Sequence, residues 1–88
     1  MDEHNKTLIV KKLLYKSQNR GCKENDLIIG KYAAKYLSEM SVAELNDFAA
    51  ILEENDVDIY DWLVKKTKAP SHLNQKIIQQ LINFDISK

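Results

Sequence analysis

Glycine and proline are scarce in this chain, whose 88 residues include two glycines and one proline. A chain with so few turn-forming residues does not suit an all-β fold, which needs many turns. Its apolar residues instead recur three and four positions apart, which is the spacing of one face of an α-helix. We therefore predict an all-α fold, a small single-domain bundle of about five short helices.

Five segments carry this helical pattern. We predict helices over residues 5–19 and 24–37, a third that opens at Ser41, a fourth from 55 or 56 to 66, and a fifth from 70 to 83. Ser41 and Glu44 have the spacing of a capping box, and Gly21 stands where a helix commonly ends with positive φ. The residues predicted to face inward are Leu8, Ile9, Val10, Leu13, Leu14, Ile29, Tyr32, Ala33, Tyr36, Leu45, Phe48, Ala49, Leu52, Ile59, Tyr60, Leu63, Val64, Leu73, Ile77, Ile78 and Leu81.

Two apolar residues, Trp62 and Leu27, lie off these inward faces. For Trp62 we favour packing against a neighbouring helix over exposure to a partner, because a small bundle has few free surfaces. A homodimer built on both residues stays an alternative, although we expect a monomer when the chain is free. We expect residues 1–88 to form one domain, with 1–5 as a mobile tail and 84–88 as a frayed end.

The formal net charge is zero, but the charges are segregated along the chain. Residues 1–23 carry a net +4, residues 24–64 a net −8 and residues 65–88 a net +4. Such segregation gives a dipolar surface that orients a partner during encounter. The alternative is that oppositely charged segments neutralise each other within the fold.

Residues that would support catalysis or tight cofactor binding are sparse. His4 and His72 are far apart, no metal-ligand spacing occurs, and no glycine-rich phosphate loop is present. The single cysteine, Cys22, excludes an internal disulfide and fits a reducing compartment. We therefore predict a protein that is not an enzyme, with no catalytic residue, no metal and no cofactor bound by the chain itself.

The sequence also argues against two classes of partner. No apolar run approaches the length needed to span a membrane, so we expect no membrane partner. Lys12, Lys16, Arg20 and Lys23 form a basic row, but the acidic middle of the chain would repel a nucleic acid. With no signal or transit peptide recognised, we predict a cytoplasmic protein, or one of the mitochondrial matrix if the source is eukaryotic.

The turn after the first helix permits two interpretations. In the structural one, Gly21 ends a helix, Glu24 begins the next, and Arg20 pairs with Glu24 or Asp26. In the functional interpretation, the turn at Gly21 exposes the guanidinium of Arg20 and a carboxylate side by side. Because Gly21 has no side chain, the backbone of another protein can then approach closely.

Two motifs carry a resemblance to a known family. The stretch Lys12–Leu27, KLLYKSQNRGCKENDL, resembles the R-G-x-x-E region of the SdhE (YgfY/CptB) family, also called succinate dehydrogenase assembly factor 2. The stretch Asp58–Leu63, DIYDWL, is similar to the D-x-Y-D-W-L segment of that family. Chain length and helix plan agree as well, so the resemblance covers roughly residues 5–75.

The resemblance implies an assembly factor or chaperone that binds the flavoprotein subunit of succinate dehydrogenase, and in some cases of fumarate reductase. It would promote covalent attachment of FAD, which belongs to the client protein, by holding the client in a productive geometry. Arg20, Gly21 and Glu24 match the family motif. The full set of predicted partner-binding residues is Arg20, Gly21, Glu24, Asp26, Lys12, Lys16, Tyr60 and Trp62.

Two alternatives belong to other functional classes. The first is an antitoxin-like or regulatory protein-interaction module, an activity also proposed for members of this family. The second is a nucleic-acid-binding helical domain that uses the basic row. A steep salt dependence of binding would identify the second alternative.

Overall fold

The computed structural model describes residues 3–84 of the chain, and these residues confirm the prediction of an all-α fold. A short 3₁₀ helix, Leu37–Glu39, which the sequence did not predict, follows the second helix directly. The first helix begins at Glu3, so residues 3–5 of the expected tail are helical, while residues 1, 2 and 85–88 lie outside the described range. The five α-helices are α1 (Glu3–Gln18), α2 (Lys23–Tyr36), α3 (Val42–Leu52), α4 (Asp56–Leu63) and α5 (Gln75–Ile82).

Helix α2 lies at the centre and packs against α1, α4 and α5. Gly30 lets α1 come close to it, because a Cβ atom at this position would lie 3.0 Å from Cγ of Gln18. Burial of apolar side chains around α2 is the main favourable contribution to stability. The buried core residues are Leu13, Ile29, Tyr32, Ala33, Leu37, Met40, Leu45, Phe48, Ile51, Leu52, Ile59, Trp62, Leu73, Ile77, Ile78 and Leu81.

The starts of α3 and α5 show how side chains set helix boundaries. The capping box predicted at Ser41 and Glu44 is present. Helix α5 begins later than predicted, because the side chain of Asn74 accepts hydrogen bonds from the first backbone N–H groups of the helix. The chain before Asn74 forms a turn instead. All four residues predicted to face inward from this segment are nevertheless buried: Leu73, Ile77, Ile78 and Leu81.

Helix α4 is rotated relative to the prediction. Ile59 and Trp62 are its buried residues, whereas Tyr60 and Val64, expected inside, are 39% and 49% exposed. The helix has eight residues, so two rotations fit its apolar positions almost equally well. Trp62 is 4% exposed, which confirms packing within the chain. Little of its side chain is therefore available to a partner in the free chain, and its role as a partner contact stays a prediction.

Helix α4 ends at Leu63, before the predicted Lys66, in a Schellman motif. The backbone N–H of Lys66 donates to the carbonyl of Asp61 at 2.8 Å, and that of Lys65 donates to the carbonyl of Trp62 at 3.0 Å. This geometry requires the left-handed conformation at Lys65, whose φ is 63°. Glycine is the usual residue at this position, because a Cβ atom disfavours the left-handed region.

Replacing Lys65 with glycine is expected to raise the free energy of unfolding by about 1 kcal/mol, because the strain of a left-handed side-chain-bearing residue is removed. Urea unfolding of the purified chain measures the change. Lys68→Gly is the matched control, since Lys68 has no positive φ and glycine there only increases the entropy of the unfolded chain. A Lys65→Gly variant that is no more stable than the wild type would contradict this account of the helix end.

Candidate functional site

The guanidinium of Arg20 makes its hydrogen bonds within the chain. The side chain is 11% exposed, and its Nε donates to a carboxylate oxygen of Asp56 at 2.6 Å. Its two terminal nitrogens donate to the backbone carbonyls of Leu52 and Glu54, each at 2.7 Å. In the folded chain the structural interpretation therefore describes this guanidinium, but the predicted pairing with Glu24 or Asp26 is wrong, because the paired carboxylate belongs to Asp56. Contact of Arg20 with a partner protein stays a prediction.

Arg20 joins the turn between α1 and α2 to the turn between α3 and α4. Leu52 is the last residue of α3, where unsatisfied carbonyls and the negative end of the helix dipole favour a cation. Asp56 is the first residue of α4, where the positive end of the dipole favours an anion. The charge-assisted hydrogen bonds of Arg20 therefore fix two turns that are more than thirty residues apart in sequence.

Two neighbours of Arg20 on α2 reinforce the same junction. Asp26, expected to contact a partner, accepts a hydrogen bond from the backbone N–H of Arg20 at 2.9 Å and so holds the turn. Asn25 is fully buried and donates from Nδ2 to the backbone carbonyl of Asp56 at 2.9 Å. Sequence reasoning missed Asn25, although a polar residue four positions before the inward-facing Ile29 was the available signal.

The environment of Asp56 stabilises its ionised form. Desolvation by partial burial acts to raise the pKa of this carboxyl. Hydrogen bonds from Arg20 and Asn25, together with the charge of Arg20, outweigh that effect and hold the pKa below its ordinary value of 3.8. The junction is therefore an ion pair at neutral pH.

The lowered pKa of Asp56 predicts a loss of stability in acid. As pH falls, the unfolded chain takes up this proton before the folded chain does. The stabilisation is therefore complete above pH 3.8 and is lost as pH falls through the lower pKa of the folded state. Urea midpoints measured from pH 6 to pH 2 test this. Asp56→Asn should start less stable and lose less on acidification, and parallel profiles for the two proteins would contradict the assignment.

The turn held by Arg20 leaves Gly21 at the surface. Gly21 has a φ of 95°, and a Cβ atom built on it would meet no other atom within 4 Å. Glu24, on the first turn of α2, is also exposed. The bend therefore faces solvent, so another polypeptide can approach its backbone closely. A shallow groove of about 630 Å³ opens there, lined by Gly21, Cys22, Lys23, Glu24, Asp56, Val57 and Tyr60.

One wall of this groove, which we call the Gly21 groove, is an exposed apolar strip on α4. Val57 is 71% exposed and Tyr60 39%, and the two lie three residues apart on one helix face. Val64, 49% exposed, continues the strip, and Leu27 on α2 is 44% exposed, as its off-face position indicated. Sequence reasoning missed Val57, although its spacing to Tyr60 was visible.

The structure divides the eight predicted site residues into three groups. Gly21, Glu24 and Tyr60 meet in the Gly21 groove. Arg20, Asp26 and Trp62 are engaged within the fold. Lys12 and Lys16 are exposed on α1 and do not line the groove. Lys16 Nζ lies 4.0 Å from a carboxylate oxygen of Glu53, and this exposed pair contributes little to stability.

The part of the chain that the structure describes holds neither a cluster of metal ligands nor a membrane-spanning helix. Among residues 5–84, whose side chains the structure describes, no group of three or more histidine, cysteine, aspartate or glutamate side chains is arranged to hold a metal ion. Over the same range, no helix is long and apolar enough to cross a membrane. Cys22 is half-buried beside the groove, where its Sγ lies 3.6 Å from a carboxylate oxygen of Glu24.

Both sequence motifs, at residues 12–27 and 58–63, lie within a match to one known family. A family model described as the flavinator of succinate dehydrogenase matches residues 11–85. The chain belongs to that family. The match contains the Arg20 junction and the whole Gly21 groove. The family resemblance inferred from the two sequence motifs is therefore confirmed.

Individual relatives support the assignment. The chain is similar to proteins named succinate dehydrogenase assembly factor 2, mitochondrial. It is 35% identical to that of Dictyostelium discoideum over 69 residues, which cover 78% of this chain and 49% of the relative. It is 38% identical over 81 residues to that of Saccharomyces cerevisiae strain S288c, covering 88% and 50% respectively. For Scheffersomyces stipitis the identity is 42% over 77 residues, covering 84% and 52%. The chain thus spans about half the length of the curated relatives it matches.

Proposed function

We propose that this chain is an assembly factor that binds the flavoprotein subunit of succinate dehydrogenase and promotes covalent attachment of FAD to a histidine of that subunit. Membership in the flavinator family, together with the exposed Gly21 groove, carries the proposal. The flavoprotein subunit is called the client below. A corresponding role toward fumarate reductase would use the same groove.

The groove has the composition of a protein-binding surface. Its apolar wall consists of Val57 and Tyr60, and a partner that covers these side chains buries their apolar surface away from water. An exposed aromatic side chain such as Tyr60 is also a common anchor of protein interfaces. Beside it, Glu24 supplies an exposed carboxylate that accepts hydrogen bonds from a basic side chain of the client. Gly21 allows the client to reach the backbone of the turn. The complementary client surface is therefore apolar with at least one positive charge.

The same lining does not suit FAD itself. The charged side chains that line the groove are Lys23, Glu24 and Asp56, and Asp56 is paired with Arg20, so the groove offers the diphosphate of a dinucleotide no net positive charge. The groove is open, whereas cofactor sites enclose most of the ligand surface. We therefore propose that the flavin stays with the client and that the chain has no catalytic residue of its own.

In this proposal the chain acts by orientation. Attachment requires a histidine nitrogen of the client to stay close to the reacting carbon of the flavin, and correct placement of reactants is worth up to about 7–11 kcal/mol of an activation barrier. Binding at the Gly21 groove holds the client in that arrangement. Because the chain must leave afterwards, the interface is of moderate affinity, as a single shallow groove provides.

The remaining partner predictions form part of the same proposal. The free chain is a monomer, with neither nucleic acid nor membrane as a partner. It works in the compartment that contains the client, which is the cytoplasm in a bacterium and the matrix in a mitochondrion. The names of the relatives place those proteins in mitochondria.

Coexpression of the client with this chain tests the proposal. In-gel flavin fluorescence reports covalent FAD on the client, which is expected to be high with the wild-type chain and low without it. Glu24→Ala is expected to lower the signal severalfold, since an exposed charge at the rim of an interface contributes about 1 kcal/mol. Glu39→Ala, at another exposed glutamate, is the matched control and should leave it unchanged.

One result would refute the proposed function, and another would refute the assignment of Glu24 to the interface. In the first, the client carries the same amount of covalent flavin with and without the chain, so the chain does not promote attachment. The second is a normal signal with Glu24→Ala at equal chain abundance, which removes Glu24 from the interaction.

A further inference from the structure

A second surface cavity lies at the opposite end of α4 from the Gly21 groove. Its volume is about 690 Å³, and it opens between the end of α4, the following loop and α5. Its apolar lining residues are Trp62, Ala69, Ile78 and Ile82, of which Ala69 and Ile82 are partly exposed. This cavity shares no lining residue with the Gly21 groove, so it is a separate feature.

The rim of this cavity is strongly basic. Lys65, Lys66 and Lys68 all line it and are all exposed. No carboxylate appears among the lining residues that the structure describes. Three positive charges therefore surround an apolar floor, and among residues 5–84 none of them is paired with a carboxylate.

We propose that this lysine-rimmed cavity binds an extended acidic peptide segment of a partner protein. Carboxylates of the segment pair with the three lysines, and an apolar side chain of the segment covers Ala69 and Ile82, which are only partly buried. The inference is independent of the proposed function, because the Gly21 groove is not involved.

A peptide fits the cavity better than a nucleic acid does. Recognition of single-stranded nucleic acid relies on exposed aromatic rings for stacking, whereas Trp62 is 4% exposed. The rim contains lysines and no arginine, so it lacks the planar fork that pairs with phosphate in a bidentate manner. An apolar floor beneath point charges instead matches a segment that alternates acidic and apolar residues.

Trp62 provides a direct signal for the test, since it is the single tryptophan of the chain and lines the cavity. The full chain is titrated at low salt with an acetylated peptide of alternating glutamate and leucine while Trp62 emission is recorded. A saturable change is expected. Lys66→Glu combined with Lys68→Glu should weaken binding by about tenfold or more, because two attractions become repulsions. Lys6→Glu with Lys11→Glu, an equal change of net charge on α1, should alter it less than about twofold.

Urea unfolding first establishes that both double variants are folded. The proposal is overturned if no saturable change occurs at millimolar peptide, or if both double variants weaken binding equally. It is also overturned if a lysine–leucine peptide binds as well as the glutamate–leucine peptide. Displacement of the peptide by inorganic phosphate or by a short oligonucleotide at lower concentration would assign the cavity to phosphate instead, and would overturn the proposal too.

Discussion

Replacing Arg20 with alanine is expected to lower the free energy of unfolding by about 3 kcal/mol, a large share of the total stability of a domain of this size. The substitution removes one ion pair and two hydrogen bonds to backbone carbonyls at the end of α3 and just beyond it. It also leaves the partly enclosed carboxylate of Asp56 without its counter-charge. Urea unfolding of the purified variant measures the loss.

Two further variants show whether the geometry of the guanidinium matters. Arg20→Lys keeps the charge but supplies a compact ammonium in place of the planar fork, so about 2 kcal/mol should still be lost. Lys12→Ala, at an exposed position on the same basic row, should change stability by less than about 0.5 kcal/mol. If Arg20→Ala is as stable as the wild type yet fails to bind the client, Arg20 acts on the partner and its structural role is refuted.

Replacing Gly21 with arginine is expected to weaken client binding by about 2 kcal/mol, roughly 30-fold in Kd. The new side chain meets no atom of the folded chain, so it occupies the space into which the client approaches. The positive φ of Gly21 adds backbone strain of about 1 kcal/mol, which leaves the domain folded but less stable. Affinity for the purified client and the unfolding midpoint are measured on the same sample.

The Gly21→Ala variant distinguishes backbone strain from steric obstruction of the client. It imposes the same backbone strain but adds only a methyl group, so its unfolding midpoint should match that of Gly21→Arg while its affinity stays closer to the wild type. Equal affinity of wild type and Gly21→Arg would show that the client does not approach this turn. Equal loss of affinity in both variants would attribute the effect to strain.

The elements that the sequence predicted well are those with a strong local signal. The boundaries of α1 and α2 follow from the long apolar pattern and from the Gly21 turn, and the start of α3 follows from the capping box at Ser41. Short α4 carried too few apolar positions to define its rotation, so Tyr60 and Trp62 were placed on the wrong faces. Tertiary packing decided that rotation.

In the candidate site, too, the sequence predicted the local features and did not predict the long-range contacts. The motif correctly located the surface turn at Gly21 and the exposed Glu24, because both are local features of a helix end and a helix start. It could not assign Arg20, whose bonds reach residues that are more than thirty positions away in the chain. Contacts at such separation leave no periodicity in the sequence. The sequence therefore did not predict that Arg20 supports the fold through these bonds.

Amide hydrogen exchange of the chain, free and mixed with the purified client, tests most directly whether the Gly21 groove is the binding surface. Peptides covering residues 20–25 and 56–61 are expected to exchange more slowly in the mixture, while residues 37–43, which do not line the groove, exchange at the same rate in both samples. Slower exchange confined to residues 37–43, or a complex that leaves both groove segments unchanged, would contradict the account.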